Sequence, residues 1–431
     1  MWSSERHLDR CSREPATGSS DVDSVVVEGS MRMVIAGNGV AGITAARTLA
    51  QTGNFEIEVY SDESYHFYYR PRLLEVVSGE SRPDQVLAYP ADWYSDKGID
   101  VRLSTRVAAL DTKGKRVVLQ GGELVPYDKL LLAIGGEASV PPIDGFGKPG
   151  TFVLRSMLDA IAVNEYAGRS ASAVVVGGGL LGLETAAALR ALNLRVTVIE
   201  IFPRLLPKQL DEQGSKILRN IIEQKGINIV LGASVQSILG DRAVTAVRTG
   251  DGQSIEGELV LVSTGVRPEK HIAEAAGISV SRGVIIDSNL RTSAPSVYAA
   301  GDVAEFDGRV FGIIPAAMEQ GRLAALNMME EGASVYRGTV PYTTLKVAGI
   351  DLTSIGEVNP QETGYEELRK SGPEAGIYKK IVLRDDRAVG AIVLGEKRYA
   401  VNVSEAVKRQ AKVGEHRKRV LDDDFDFGRL G

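Results

Sequence analysis

Thiol chemistry is almost missing from this chain. Its 431 residues include one cysteine, Cys11. One thiol cannot close an intramolecular disulfide, and no cysteine cluster can hold zinc or an iron–sulfur centre. No metal site is expected. Long apolar runs are missing too. No stretch approaches the roughly 20 residues that cross a bilayer, so no transmembrane segment is expected. The first residues are polar and charged, unlike a secretory signal. Excess positive charge is also absent. The formal net charge is −6, which argues against non-specific binding of nucleic acid. A cytoplasmic location is the expectation these absences leave. Hydrophobic content of 44% and charged content of 25% describe an ordinary globular chain. Its length suits two or three domains.

Glycine is what the chain has, and in a pattern. The apolar run Val34-Ile35-Ala36 reads as a buried strand and leads into Gly37-Asn38-Gly39-Val40-Ala41-Gly42. Small and apolar residues follow at helical spacing. Gly37 permits the tight turn, Gly39 lets a pyrophosphate approach the backbone, and Gly42 lets helix and strand pack closely. The helix start then offers free N–H groups and a positive dipole end to phosphate. About 140 residues later the order recurs as Val174-Val175-Val176, then Gly177-Gly178-Gly179-Leu180-Leu181-Gly182-Leu183-Glu184. Two such folds predict two bound dinucleotides.

Residues 1–30 are polar, with little apolar periodicity, and read as a mobile tail or as residues upstream of the working start. After the first helix, the strand Phe55–Tyr60 ends in Ser61-Asp62-Glu63. An acidic residue here bonds the adenosine ribose. Glu63 is the first choice and Asp62 the second; solvated turn carboxylates are the alternative. Tyr65–Leu73 is dense in aromatics and arginine. It reads either as a loop with core aromatics or as a segment along a flavin, with Arg70 or Arg72 near phosphate or ring. A helix is expected near Asp84–Lys97, strands at Ile99–Leu103, Arg106–Asp111 and Lys115–Leu119, and a hairpin at Gly121-Gly122. A further buried strand ends in Ala133-Ile134-Gly135-Gly136. Pro141-Pro142-Ile143-Asp144-Gly145 then marks a domain boundary. Residues 153–168 read as a helix.

In the second unit the strand Arg195–Ile199 ends in Glu200. A carboxylate there accepts from a ribose 2′-OH and repels a 2′-phosphate, favouring NAD(H) over NADP(H). Arg204, four positions on, keeps the other coenzyme in play. A helix is expected over Asp211–Gly226, and the unit closes on Thr264-Gly265-Val266-Arg267-Pro268. The strand Val297–Ala300 delivers Asp302 beyond the Gly301 turn. A helix then starts with Pro315 in its first turn, as helix starts favour. From about Val335 the pattern turns β-rich, with a hairpin at Asp385-Asp386. A helix from about Ser404 carries Lys408, Arg409, Lys412, Arg417, Lys418 and Arg419. This reads as a basic docking face for an acidic carrier or as a solvated surface.

Taken together these motifs resemble the pyridine nucleotide–disulfide oxidoreductase superfamily, in the branch of NADH:rubredoxin reductases and the flavin-binding part of NADH-dependent nitrite reductases. The resemblance runs over about residues 31–400. It rests on the two glycine motifs, on Tyr69-Arg70-Pro71-Arg72-Leu73, Ala133–Gly136, Thr264–Pro268 and Tyr298-Ala299-Ala300-Gly301-Asp302, and on Thr344–Leu352. It implies an α/β chain of two Rossmann-like domains plus a small α+β C-terminal domain. The implied boundaries are 31–149 with 268–332 for FAD, 150–267 for NAD, and 335–431 for an interface domain. For FAD the implied residues are Gly37, Gly39, Val40, Ala41, Gly42, Asp62, Glu63, Arg70, Gly135, Gly301, Asp302, Pro315 and Ala316. For NADH they are Gly177, Gly179, Leu180, Leu181, Gly182, Glu184, Glu200 and Gly265. Glu184 is placed near the nicotinamide amide, with an ordinary helix carboxylate as the alternative. Family members that work through thiols carry a reactive cysteine in or just after the first helix. This chain has Ala45, Ala46 and Arg47 there and no cysteine from 12 to 431. Electrons must then leave directly from the flavin, and no side chain is required as a catalytic acid or base. The expected acceptor is a rubredoxin, a ferredoxin or a metal-containing partner subunit of a larger redox complex. A flavin NADH oxidase or quinone reductase, and a nucleotide-responsive structural flavoprotein, are the competing readings.

Overall fold

Two parallel sheets of five strands are built alike. The first runs, edge to edge, Val297–Ala299, Lys129–Leu132, Arg32–Ala36, Glu56–Tyr60, Ile99–Arg102. The second runs Ile227–Leu231, Arg195–Glu200, Ser172–Val176, Leu259–Val262, Thr151–Phe152. Central strands are apolar throughout because a parallel sheet is covered on both faces. Met33 to Ala36 and Val174 to Val175 are fully buried. In this computed structural model, residues 30–347, 349–372 and 376–431 are described. The tail expected over 1–30 lies, but for Ser30, outside the described residues, and Cys11 with it. Met31–Gly431 form one compact unit.

Each parallel sheet carries a small antiparallel sheet of three strands, Val107–Pro126 in the first unit and Val235–Glu256 in the second. The chain passes between the units twice. Both passages pair as one antiparallel ribbon, Gly136–Ala138 with Val266–Pro268. Helix Ile314–Met329 packs on helix Val40–Thr52, close enough that a Cβ on Gly321 would lie 2.3 Å from the Ala41 carbonyl oxygen.

The C-terminal region is a five-stranded antiparallel sheet, ordered Tyr342–Val347, Ile350–Gly356, Arg387–Leu394, Ile377–Arg384, Tyr365–Gly372. One face carries Leu352, Tyr378, Ile392 and Leu394 into the core of the second unit. The other carries Ile381, Ala391 and Val393 against helix Lys397–Lys408. Strand residues alternate faces. Adjacent Lys379 and Lys380 are therefore both buried, at 1% exposure, one on each face.

Several expected elements shift. The helix near Asp84–Lys97 is a 3₁₀ turn, Pro83–Val86, and a helix, Ala91–Asp96. Pro90 lacks the N–H that would join them. The helix over 153–168 is Met157–Ala167, because Ser156 caps it and Asp159 completes the capping box. The C-terminal helix starts at Lys397 rather than near Ser404 and ends at Lys408. Of the six basic residues expected on it, only Lys408 lies on the helix. Arg409 is spent on the carbonyls of Phe427 and Leu430, Arg417 on Glu366 and Asp386, and Arg419 on Asp422 and Asp424. Among the described residues no helix is long and apolar enough to cross a membrane, and no group of His, Cys, Asp and Glu could hold a metal ion.

Candidate functional site

The two glycine turns match to within a few tenths of an ångström. Gly37 has φ +111°, and a Cβ there would lie 2.2 Å from the Ala133 carbonyl oxygen. Gly177 has φ +116°, and its Cβ would lie 2.2 Å from the Ser263 carbonyl oxygen. Only glycine fits either place. A Cβ on Gly42 or Gly182 would lie 1.9 or 2.0 Å from the carbonyl oxygen of the first glycine of its own turn. The middle glycines differ. Nothing lies within 4 Å of where a Cβ would be on Gly39 or Gly179. Both face open space at the start of a helix, Val40–Thr52 and Leu180–Ala191. Neither helix has a side-chain cap or an acidic residue in its first turn. Two unblocked sets of backbone N–H groups suit two pyrophosphates.

Both turns open on one cavity of about 960 Å³. Gly37, Gly39, Val40 and Ala41 line it from the first unit, and Gly177, Gly179, Leu180 and Leu181 from the second. Gly135, Gly265, Gly301 and Pro315 lie on its wall, together with Thr343 and Thr344 of the C-terminal sheet. Gly42 and Gly182 sit beneath the turns, and Ala316 is buried behind Pro315. Helix Ile314–Met329 begins at this wall, with proline in its first turn.

At the second turn Glu200 is buried, at 6% exposure. Its carboxylate accepts from the N–H of Gly178 at 2.6 Å and of Phe202 at 2.9 Å. Gly178 is needed for this, since a Cβ would meet Leu205 at 2.7 Å and the carboxylate at 3.1 Å. Arg204 turns to the Pro207 carbonyl, 3.3 Å, and the exposed Lys208 lines the cavity.

The first unit handles its carboxylates differently. Glu63 pairs with Arg70 at 3.1 Å and accepts from the Tyr68 hydroxyl. Asp62 is the exposed carboxylate on the cavity wall. Arg70 lines the cavity, whereas Arg72 is held bidentate by Glu75, at 2.9 and 2.8 Å, off the wall. Asp302 reaches the wall already paired with Arg155, 2.9 Å away. Arg155 also donates to the Gly136 carbonyl at 2.9 Å. Burial, and then the neighbouring Arg70, push the Arg155 guanidinium below its ordinary range. Gln320, buried on helix Ile314–Met329, accepts from the Gly301 N–H at 2.8 Å and fixes the turn before Asp302.

Glu184 lies on the wall in the first turns of its helix. Burial alone pushes its carboxyl up to about 7. Near neutrality it exchanges between a donor and an acceptor. The residues that sequence reasoning missed are Arg155, Tyr68 and Gln320. Arg155 acts on a residue 147 positions away and Gln320 on one 19 away, which no local spacing signals, whereas Tyr68 sits five positions from Glu63 within the aromatic stretch Tyr65–Leu73. The one local cue near Arg155 was the capping pair Ser156 and Asp159 just after it.

Residues 31–321 match the family model described as pyridine nucleotide-disulphide oxidoreductase, and residues 341–411 match the rubredoxin NAD+ reductase C-terminal domain. The chain is 32% identical over 393 residues to an assimilatory nitrate reductase electron transfer subunit of Bacillus subtilis, covering 91% of this chain and 51% of the relative. It thus spans about half the length of that protein. Against a rubredoxin-NAD(+) reductase of Pseudomonas putida it is 31% identical, over 89% of this chain and 98% of that one. The crystal structure of an NADH:rubredoxin oxidoreductase from Clostridium acetobutylicum has the same fold, with a TM-score of 0.76 at 29% identity, covering 90% of this chain and 97% of the other.

Proposed function

The chain belongs to the pyridine nucleotide-disulphide oxidoreductase family, and from that premise we propose that it is an FAD-dependent NADH oxidoreductase. Its electrons go to a one-electron metalloprotein: a rubredoxin, a ferredoxin or a metal-containing partner subunit of a larger redox complex. The observation that carries this is one cavity entered by two matched, unblocked glycine turns, in a chain with no cysteine from 12 to 431. Without a thiol relay, the electron path ends at the flavin. Bound FAD supplies both halves of the chemistry, accepting a hydride from NADH and releasing single electrons.

The protein's own residues bind and orient. Residues 31–149 and 268–332 form the FAD-binding domain. There Gly37, Gly39 and Gly42 shape the pyrophosphate turn, and the start of helix Ile314–Met329, past Pro315, offers backbone N–H groups to negative charge. Arg155 holds Asp302 in place for the ribityl–phosphate region. Asp62 is the carboxylate open to an adenosine ribose, since Glu63 serves Arg70 and Tyr68. Residues 150–267 form the NAD-binding domain. Glu200, fixed by two backbone N–H groups, accepts from a ribose 2′-OH and repels a 2′-phosphate. Glu184 donates a hydrogen bond to the nicotinamide amide when protonated and accepts one when ionised. Residues 335–431 serve as the interface domain, and the chain works in the cytoplasm.

The test is direct. Protein purified without added cofactor is expected to be yellow and to release FAD, identified by mass. NADH bleaches it without oxygen, and rubredoxin or ferredoxin restores the colour faster than oxygen does. A folded, colourless protein that takes up no FAD on reconstitution overturns the reading.

A further inference from the structure

The cavity wall beside Glu200 is fastened to a different part of the molecule. Segment 201–211 leaves the strand at Glu200 and supplies Ile201, Phe202, Leu206, Pro207, Lys208 and Gln209 to the wall. It has no helix or strand of its own. Leu206 takes a left-handed φ of +49°. Ile201 and Phe202 are 62% and 53% exposed, in a chain that buries most of its large apolar groups. Such a segment is held only by what it is tied to.

It is tied on one side to the second unit, by the buried Leu205, Leu206 and Leu210 and the Gly232 N–H on the Phe202 carbonyl at 3.1 Å, and on the other to the C-terminal sheet and its loop at Asn359. Asn359 donates to the carbonyls of Pro207 and Leu210, at 3.3 and 3.1 Å. Asp211 ends the segment and caps helix Glu212–Gln224 through the Gly214 N–H at 3.0 Å. The other oxygen of Asp211 faces three donors of the sheet: Tyr378 at 2.6 Å, Lys380 at 3.3 Å and Arg369 at 3.4 Å. Lys380 also reaches Glu367 at 2.9 Å. Two cations and two carboxylates thus balance across the joint. Burial opposes the ionisation of Asp211, yet the bonds from Tyr378, the Gly214 N–H and Lys380 hold its carboxyl below the usual range. Apolar side chains would bury the joint as well, without fixing direction. The ionic set fixes where the segment ends.

We propose that Asp211, Tyr378, Lys380 and Asn359 are positioning residues for the nicotinamide nucleotide, through which the C-terminal sheet sets the wall that meets its adenosine half. None of them lines the cavity. Each acts through segment 201–211. This rests on reading the second unit as the nucleotide site.

The flavin-loaded protein is titrated calorimetrically with NAD+ and with ADP-ribose. Tyr378→Phe, which leaves the packed volume nearly intact, and Asn359→Ala, at a half-buried loop position, are made alone and together. Each single variant is expected to weaken both ligands about three- to tenfold, and the double variant more. The KM for NADH rises by the same factor, while kcat with ferricyanide stays within twofold. Lys380→Arg keeps the wild-type affinity, whereas Lys380→Met loses it; flavin content and circular dichroism report whether each has folded. Phe and Ala variants that are folded and bind ADP-ribose as tightly as the wild type overturn the proposal. Wild-type protein that binds neither NAD+ nor ADP-ribose overturns the parent reading instead.

Discussion

In the first unit the strand after the glycine turn ends at Tyr60 and Ser61; in the second it ends at Ile199 and Glu200. The register is the same in both. The Gly37 N–H donates to the Tyr60 carbonyl and the Gly177 N–H to the Ile199 carbonyl, each at 2.8 Å. Ser61 therefore stands where Glu200 stands, and Asn38 where Gly178 stands. Backbone sterics dictate the turn, so the turn repeats. The side chain at the strand end is free to differ, and there the units part. Gly178 leaves room for a carboxylate that takes its N–H. In the first unit the acid moves on to Asp62 and Glu63, and Asn38 fills the corner.

The largest expected effect breaks the likeness at its root. Gly177→Val demands a Cβ at 2.2 Å from a carbonyl oxygen at positive φ. Such strain costs several kcal/mol. NAD+ affinity is expected to fall at least about a hundredfold, roughly 2.7 kcal/mol, with flavin retained. Gly37→Val does the reverse and yields protein without flavin. Absorbance spectra and NAD+ titration of both variants measure this.

Glu200→Ala tests the difference. A hydrogen bond to a charged group contributes about 1.5–3 kcal/mol, so NADH affinity should fall about ten- to hundredfold. The NADH over NADPH preference in kcat/KM narrows while flavin content stays. A smaller effect is expected at Glu184. Its folded pKa, about 7, lies above the unfolded value. Its contribution to stability is thus present in full only below the ordinary carboxylate range and is lost as pH rises from there through about 7. The wild-type kcat/KM profile for NADH bends there, and in Glu184→Gln both the bend and that stability slope vanish. The smallest effect is at Ser61→Ala. Its hydroxyl accepts only the Glu63 N–H, at 3.3 Å, and removing it costs under about 1 kcal/mol. Thermal melting and flavin affinity should barely move.

The turns were legible because three glycines at fixed spacing have one steric explanation, and Glu200 because the acid follows the strand at the usual offset. For Glu63 the offset could not show that Arg70 and Tyr68 bond its carboxylate. Arg155 was silent because it acts on Asp302, far along the chain. The C-terminal basic run looked like a face, since a helix was assumed to continue past Lys408. Gln410, with φ +51°, ends it, and Arg409, Arg417 and Arg419 find carboxylates and carbonyls nearby. Nothing in the sequence marks Lys379 and Lys380 as buried. Their burial depends on a sheet covered on both sides, which no local pattern announces.

The ribbon of Gly136–Ala138 and Val266–Pro268 is a mechanical joint. The outgoing and returning threads are laced together: the Ser139 N–H donates to the Gly265 carbonyl at 2.9 Å, and Arg267 grips Glu137 at 3.0 Å. A tether of two loose strings lets its load sway in any direction, whereas a laced strap resists sideways bending and yields to torsion. The two threads therefore move as one piece, and the Gly136 carbonyl that Arg155 holds is coupled through the strap to the returning thread at Arg267.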